Sequence, residues 1–599
     1  MKKRVADIVV ETLIELGVTN TFCVVGGGAM HLNNAYKIHP EMDVTYCHHE
    51  QACAFAAEGY AKYSGKCACV LVTAGPGGVN TLNGVYSAWV DNAPMIVITG
   101  FPRYATSIPA TGLNLRCRGV QEFDLVSTVT KMTKYAKLLM KAEDVKAEVK
   151  KAYDIAMSGR RGPVLISIPL DVQASLVEEV ELTPYEMGQY HLENDNLANE
   201  IGLLIQTLKD AKRPCILTGS AINNCGYRYL FEEFLQRVKI PVVGGALLGD
   251  SLEDNHPLYY GGSGSVGPRV GNYILQNSDF ILVIGNSLST KQTGFNVPAF
   301  APNAKIAMVD IEADEMKKPD LHIELPIVAE LKAFFDSFMS ICFDGIEAES
   351  HWVQYCEEMK AFLKDYDDMN PENEGRVPQK AFWKMFRDMV PADTDVALGN
   401  SSGIVGGLTY SVKNKQRVIV NYNSGSMGDD LPEATGIAKA SGKNVVCVTG
   451  DGSIMMNLQE LQTITYNKLP IKVVIFSNDG YGAIRQTCKN FFDGVYTGCD
   501  EESGIAFPKF EKIAEAFDYS YLHCQNYGEL HDKLEEFFAS KDRVILEVEQ
   551  MINDPVLPKV MSKMNPDGTF DTPTLTDLSP FLTEEEEKRL IDITNKYIN

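Results

Sequence analysis

No apolar stretch of this 599-residue chain runs unbroken for the ~20 residues a membrane-spanning helix needs, so a membrane partner is not expected. Basic residues are outnumbered: 55 Lys and Arg stand against 79 Asp and Glu, a net charge of −24. That balance argues against a nucleic-acid or anionic-lipid surface, although a local basic pocket for a phosphate stays open. No CxxC pair occurs among the 14 cysteines, and only Cys67 and Cys69 are close together. The start, MKKRVADIVVETLIELG, is basic, but Asp7, Glu11 and Glu15 interrupt its apolar residues, which gives an amphipathic helix rather than a secretory core. With no export signal the thiols are expected to be reduced and mostly buried, and the compartment to be the cytoplasm. No short-period repeat is visible, which excludes a solenoid.

At ~150 residues per domain, the length points to three or four domains. Near-continuous apolar strands alternating with helical stretches predict parallel sheets covered on both faces. The first block, 1–180, has strand runs at Thr21–Val25, CVLVT (69–73), MIVIT (95–99) and within GPVLISIPLD (162–171), with a small-residue helix stopped at Gly65. An acidic, aperiodic linker follows from about Val172 to Asn199. A second block, 190–345, carries PCILTG, IPVVGG, FILVIG and KIAMVDI. The charged segment around Glu347–Gly375, containing MNPENEG, is expected to separate it from a third block, 375–550. Residues 551–599 are expected to be a tail laid over the surface, with TEEEEKR as a solvated helix face.

The densest chemistry lies in the third block. A strand ends in Gly450-Asp451-Gly452-Ser453, a helix is expected at about Leu458–Tyr466, and a second strand ends in Asn478-Asp479-Gly480. Asp451 and Asn478 are 27 residues apart, one βαβ unit, so right-handed crossover predicts both at the carboxyl ends of neighbouring strands. An anionic and a neutral oxygen there suit Mg²⁺, with waters and phosphates completing its octahedron. Gly450 and Gly452 allow close approach of a phosphate, and Ser453 with the helix start adds donors. In the first block, His48-His49-Glu50-Gln51 opens the small-residue helix; HHE lacks the helical spacing of a zinc site. Gly75-Pro76-Gly77-Gly78 ends another strand, with Asn80 in the helix start that follows.

Taken together, these segments resemble the thiamine diphosphate enzymes of the acetolactate synthase, pyruvate decarboxylase and pyruvate oxidase group, most of all the acetolactate synthase-like carboligases. HHEQACAFAAEGYAKYSGK with LVTAGPGGVN resembles the pyrimidine-binding domain, the second block the central domain, and VNYNSGSMGDDLPEATGIAKA with GDGS through NDG the diphosphate-binding domain. The implied fold is α/β, with three doubly wound parallel-sheet domains and a C-terminal tail. The resemblance implies that Glu50 hydrogen-bonds the aminopyrimidine ring and favours the tautomer that deprotonates the thiazolium carbon. It gives Met427 the wedge that bends the cofactor, and Asp451, Asn478 and the Gly480 carbonyl the Mg²⁺. Gly27, Gly28, Gly75, Asn80, Ser401, Ser402, Gly450, Gly452, Ser453, Tyr481 and Gly482 are the other implied cofactor contacts. Homodimers or homotetramers, with active sites at the subunit boundary, are implied as well.

For the reaction, the resemblance implies decarboxylation of a small 2-keto acid such as pyruvate. Simple decarboxylases carry a Glu four residues after the glycine of the NDG-type motif, and here that position is Ile484. An apolar residue supplies no proton, which favours ligation to a second carbonyl compound, and Gln121 matches an active-site Gln of the acetolactate synthases. A non-ligating 2-keto acid decarboxylase is the alternative. Two departures matter. Thr487 follows Gln486 where those synthases have a Trp, and Gly285-Asn286-Ser287-Leu288-Ser289-Thr290-Lys291 replaces a GARFDDR-like segment. Without that guanidinium fork, bidentate recognition of an acceptor carboxylate is lost. The IRQT segment (484–487) and the tail resemble thiamine diphosphate enzymes of surface-polysaccharide pathways, which implies a keto-sugar acceptor. FAD is left open by Gly219-Ser220 and by GGSGSVG (261–267) at expected strand ends.

Overall fold

The computed structural model describes residues 2–190, 192–246, 250–367, 375–400, 403, 412–413, 415–554, 558–561, 563–564 and 567–598. The chain divides into two compact units. One comprises Met1–His191, Asn421–Val473 and Glu511–Tyr519, the other Leu192–Val420, Val474–Phe510 and Ser520–Asn599.

The first unit is built on a six-stranded sheet with the order Asp43–Tyr46, Asn20–Cys23, Ala68–Val72, Met95–Phe101, Val164–Pro169, Tyr135–Leu138. Every pairing is parallel, with Val70 opposite Val97 and Val97 opposite Leu165. The three central strands are buried throughout, as their unbroken apolar runs require. Val5, Val9 and Leu13 of the Val5–Glu15 helix cover one face, and the alanine-rich Glu50–Ser64 helix covers the other. That second helix ends at Gly65 in the left-handed conformation (φ 69°), which glycine adopts at no steric cost.

The Glu50–Ser64 helix also packs along the Asp430–Ser441 helix of the same unit. A Cβ on Gly436 would lie 1.9 Å from the Ala56 carbonyl oxygen, so only glycine allows this approach. Both helices are buried on nearly every side, which explains why neither shows a clean amphipathic stripe.

The second unit contains a parallel six-stranded sheet in the order Tyr259–Gly262, Val242–Gly244, Pro214–Thr218, Phe280–Ile284, Lys305–Asp310, Leu325–Val328. Phe231, Phe234, Phe334, Phe335 and Phe338 fill one face. The same unit also holds Thr394–Leu398, Val418–Val420, Ser520–Cys524 and Val544–Glu549 of a third sheet. Its pairs Thr394–Leu398 with Val418–Val420, and Ser520–Cys524 with Val544–Glu549, are parallel. The fold is therefore the expected one of three parallel-sheet α/β domains.

Three segments depart from the reading of the sequence. Within the expected linker, Leu176–Glu178 pairs antiparallel with Lys2–Arg4. The charged stretch after Glu347 forms an 18-residue helix, Ser350–Asp367, whose Trp352, Tyr355, Cys356, Met359 and Leu363 enter the core of the second unit. Charged residues interspersed among these apolar ones masked the stripe. The tail is not merely superficial: Leu575, Leu578, Leu590 and Ile593 are buried, and the Glu584–Tyr597 helix starts at a Thr583/Glu586 capping box. All 14 cysteines are free thiols, eleven of them buried. Among the described residues no helix is long and apolar enough to cross a membrane.

Candidate active site

Chain entry into the Glu50–Ser64 helix is set by His49, which stays extended (φ −147°) and accepts the Gln51 N–H on Nδ1 at 3.0 Å. Glu50 thus occupies the first turn, where the helix dipole favours a carboxylate. Its Oε2 accepts from Asn80 Nδ2 at 2.9 Å. One residue earlier, the His48 N–H donates to Glu460 Oε1 at 3.0 Å, and Thr463 Oγ1 donates to Glu460 Oε2 at 2.6 Å. Burial raises the Glu460 carboxyl above the usual range, while the Thr463 and His48 bonds pull it back. The histidines do not converge with Glu50 on a metal. Among the described residues, the one group of three His, Cys, Asp or Glu side chains close enough to do so is exposed His531, Asp532 and Glu535.

Gly75 ends the next strand connection at φ 58°, and a Cβ there would lie 2.3 Å from the Gln121 carbonyl oxygen. Gln121 itself is left-handed (φ 58°) and exposed, held by its neighbour. Buried Glu122 accepts the backbone N–H groups of Ile108 at 2.6 Å and Gly119 at 2.7 Å, pinning the long loop over the turn. Gly28 N–H donates to Thr73 Oγ1 at 3.0 Å. Gly27, Gly28, Glu50, Gly75, Asn80 and Gln121 thus gather at the carboxyl ends of the central strands of the first unit, where open α/β sheets bind ligands. Glu122 was not singled out from the sequence; the acidic residue beside Gln121 in VQEFD was the available signal.

The Met427 loop belongs to the same unit. Gly428 donates its N–H to Ser453 Oγ at 3.0 Å and accepts Asn457 Nδ2 on its carbonyl at 2.6 Å, while Ser426 Oγ donates to Asn83 Oδ1 at 3.1 Å. Half-buried Met427 is therefore held between two anchored neighbours. The Ser453 hydroxyl gives its proton to Asp430 Oδ2 at 2.7 Å, so it has none left for a phosphate. Burial raises the Asp430 carboxyl, opposed by the Thr449 and Ser453 hydroxyls. Asp451 follows the Asn444–Gly450 strand directly and opens the short Asp451–Ile454 helix, almost fully buried.

Behind this loop lies a buried charge cluster. Lys62 Nζ is 2.8 Å from Glu58 Oε1, 2.8 Å from Asp91 Oδ2 and 3.4 Å from Glu433 Oε1. It also donates to Asn421 Oδ1 at 3.3 Å, and Asn421 Nδ2 donates to Glu58 Oε2 at 3.2 Å. Ser87 Oγ bonds to Asn421 and, at 3.1 Å, to Ser424 Oγ, so the cluster reaches the loop that carries Met427.

In the second unit, Asn478 directly follows the Ile471–Ser477 strand. Its backbone oxygen accepts Arg485 Nη2 at 2.6 Å and its Oδ1 accepts the same nitrogen at 3.1 Å; its Nδ2 donates to Gln550 Oε1 at 3.2 Å. Arg485 also donates to the carbonyls of Asp479 and Ile552. This buried guanidinium shapes the NDG turn, a role the reading of the sequence missed because IRQT alone does not tell a buried arginine from an exposed one. Tyr481 N–H bonds the Cys499 carbonyl at 2.9 Å beyond Gly480, and Gly482 opens the helix Gly482–Phe491 that carries half-exposed Ile484. Ser401 and Ser402 lie outside the described residues.

Three family models match in chain order. Residues 3–121 match the N-terminal TPP binding domain of thiamine pyrophosphate enzymes, 201–338 their central domain and 397–548 their C-terminal TPP binding domain. The chain belongs to the thiamine pyrophosphate enzymes. Along nearly its whole length this thiamine pyrophosphate enzyme is similar to acetolactate synthase large subunits. It is 29% identical to that of Lactococcus lactis subsp. lactis over 94% of this chain and 95% of the relative. It is 28% identical to the isozyme 3 large subunit of Escherichia coli over 89% and 91%. A probable chloroplastic acetolactate synthase 2 of Oryza sativa is 29% identical over 94% and 85%. The strand ends bearing Glu50, Gly75 and Gln121 fall within the match to the N-terminal domain, and Asp451 and Asn478 within that to the C-terminal domain.

Proposed function

We propose that this chain decarboxylates a small 2-keto acid, pyruvate in the first instance, and joins the resulting acyl unit to a second carbonyl compound. The observation that carries ligation is position 484. The helix after the NDG turn presents half-exposed isoleucine where a proton-donating carboxylate would end the reaction by releasing aldehyde. Thiamine diphosphate, when bound, supplies the nucleophilic carbon and the electron sink.

The residues fit that cofactor. Glu50, fixed by Asn80, offers a carboxylate that exchanges a proton with a ring nitrogen. Gly27, Gly28, Gly75 and Gln121, at strand ends of the same unit, would line the cofactor beside it. Met427, clamped through Gly428 and Ser426, supplies an apolar support of fixed position. Asp451 on the first unit, and Asn478 and the Gly480 carbonyl on the second, each offer a hard oxygen of the kind Mg²⁺ takes, and would hold it. Gly450, Gly452, Ser453 by its backbone, Ser401, Ser402, Tyr481 and Gly482 would line the diphosphate. We further propose a homodimer or homotetramer that completes each site at a subunit boundary, acting in the cytoplasm.

The 285–291 segment offers no arginine to a second carboxylate, which argues against a second keto acid as acceptor, and the resemblance of 484–487 and the tail to enzymes of surface-polysaccharide or modified-sugar pathways is what favours a keto-sugar. That same loss also suits the alternative, a decarboxylase with no acceptor. Incubating the enzyme with pyruvate, thiamine diphosphate and Mg²⁺ against keto acids, aldehydes and nucleotide-linked keto-sugars, with mass detection of adducts, tests both. A mass increment of one acetyl unit on a keto-sugar is expected; free acetaldehyde in every arm would leave the decarboxylase. Asp451→Ala should weaken cofactor uptake by at least about tenfold at fixed Mg²⁺ through loss of a charged ligand, measurable by titration calorimetry. Unchanged affinity would remove Asp451 from the metal.

A further inference from the structure

Relatives of this kind raise the question of a flavin in the central domain, and the glycine-rich 261–267 loop is where the sequence would place its diphosphate. A diphosphate needs convergent, unengaged N–H donors, as at other glycine-rich phosphate sites. In this loop those of Gly264, Ser265 and Gly267 are engaged. Gly264 N–H donates to Asn272 Oδ1 at 2.8 Å, and Ser265 N–H donates to the Lys291 carbonyl at 2.8 Å. Gly267 N–H donates to the Pro558 carbonyl at 3.0 Å. The neighbouring Ala246 N–H is taken by Gln292 Oε1 at 2.8 Å, and Gln292 Nε2 donates to Ser263 Oγ at 2.9 Å. At the adjoining strand ends, Gly219 and Gly285 donate to the carbonyls of Ile284 and Val309.

The partner at Gly267 is the chain's own C-terminal segment, and it continues. Val560 N–H donates to the Ser265 carbonyl at 2.8 Å, and Lys559 forms an antiparallel bridge with Val266. Asn272 Nδ2 donates to both the Gly264 and Leu575 carbonyls at 2.9 Å. Arg269, a fully buried cation beside the loop, donates to the Pro580 carbonyl at 2.6 Å. Leu575 is buried in the core of this unit, and Leu578 is buried as well.

We infer that the glycine-rich loop of the central domain is the docking site of residues 558–560 and 575–580, and that this domain takes no flavin dinucleotide. The tail supplies carbonyls to the Gly267 N–H, Asn272 and Arg269, and buries Leu575 and Leu578. Admitting a dinucleotide would require breaking these bonds and exposing both leucines together. The inference is independent of the reaction proposed above, because neither readout below involves turnover.

Hydrogen exchange and flavin titration on the full chain test it. In the untreated protein the amides of Gly264, Ser265, Gly267 and Val560 should be protected, and FAD fluorescence should show no saturable change. Unprotected exchange at these amides, flavin co-purifying stoichiometrically, or saturable uptake would each overturn it. Leu575→Asp buries a charge against the loop and should speed exchange in both the loop and residues 558–560 and 575–580 by about tenfold or more, because the two open as one unit. Faster exchange in the tail with the loop unchanged would show that the tail does not dock there.

Discussion

Glu50→Gln should retain the fold and bind thiamine diphosphate within about tenfold of the parent affinity, yet lose about 10²–10⁴ in turnover. The substitution is nearly isosteric, and the amide oxygen can still accept Asn80 Nδ2, so the turn and helix start are preserved. What disappears is the carboxylate that would exchange a proton with the cofactor ring. The loss corresponds to about 3–5 kcal/mol of barrier. Deuterium exchange at the reactive thiazolium carbon, followed by NMR after acid quench, should slow by the same factor as turnover. If that exchange proceeds at the parent rate, Glu50 is not the proton-handling group and the functional reading fails. Lost affinity with normal exchange would instead make it a binding residue.

The largest stability effect is expected at Lys62. This buried ammonium stands against Glu58, Asp91 and Glu433, with Asp429 and Asp430 further along the second helix, and holds the two helices together at charge-pair distance. Burial opposes its charge, but the three carboxylates win and hold it well above the usual lysine range. Burial likewise raises Glu58, and it pushes Glu433 up to about 8 against the pull of Lys62. Asp429 is raised well above the usual range by burial and then by Asp430 and Glu433. Lys62→Met keeps the volume and leaves the carboxylates without their cation, at a cost of about 3–5 kcal/mol.

The pH dependence has a definite sign. A carboxyl whose pKa is higher folded than unfolded contributes stability that is fully present below about 4.5 and is lost as pH rises through about 8. Stability should therefore decline across that window in the parent. In Lys62→Met the decline should be steeper, because the carboxylates must ionise unaided. Urea denaturation at pH 5, 6.5 and 8, all on the order of that window, should show the parent–variant gap widening with pH. A gap independent of pH would mean that the cluster is held by packing rather than charge. Because Asn421 and Ser87 connect the cluster to Ser424, the variant should also loosen the Met427 loop.

Read as a sequence, the chain discloses its strands where apolar runs are unbroken, as in Ala68–Val72 and Phe280–Ile284, because a strand buried on both faces admits no polar interruption. Its turn chemistry is equally local: Gly65 ends a helix and Gly75 turns at positive φ for reasons internal to a few residues. The order of Glu50, GDGS and NDG determined the family on the same local basis. Tertiary structure alone decided the rest. Arg485 is buried where it meets the Ile552 carbonyl 67 residues on, Glu122 pins the Gln121 loop only once Ile108, 14 residues back, folds over it, and the glycine-rich loop meets a tail hundreds of residues on. Burial and hydrogen bonding between distant segments leave no periodic trace, since one arginine, one glutamate or one leucine reads the same in solvent as in a core. Local sterics and side-chain period are written along the chain; long-range pairing exists only once the chain has folded.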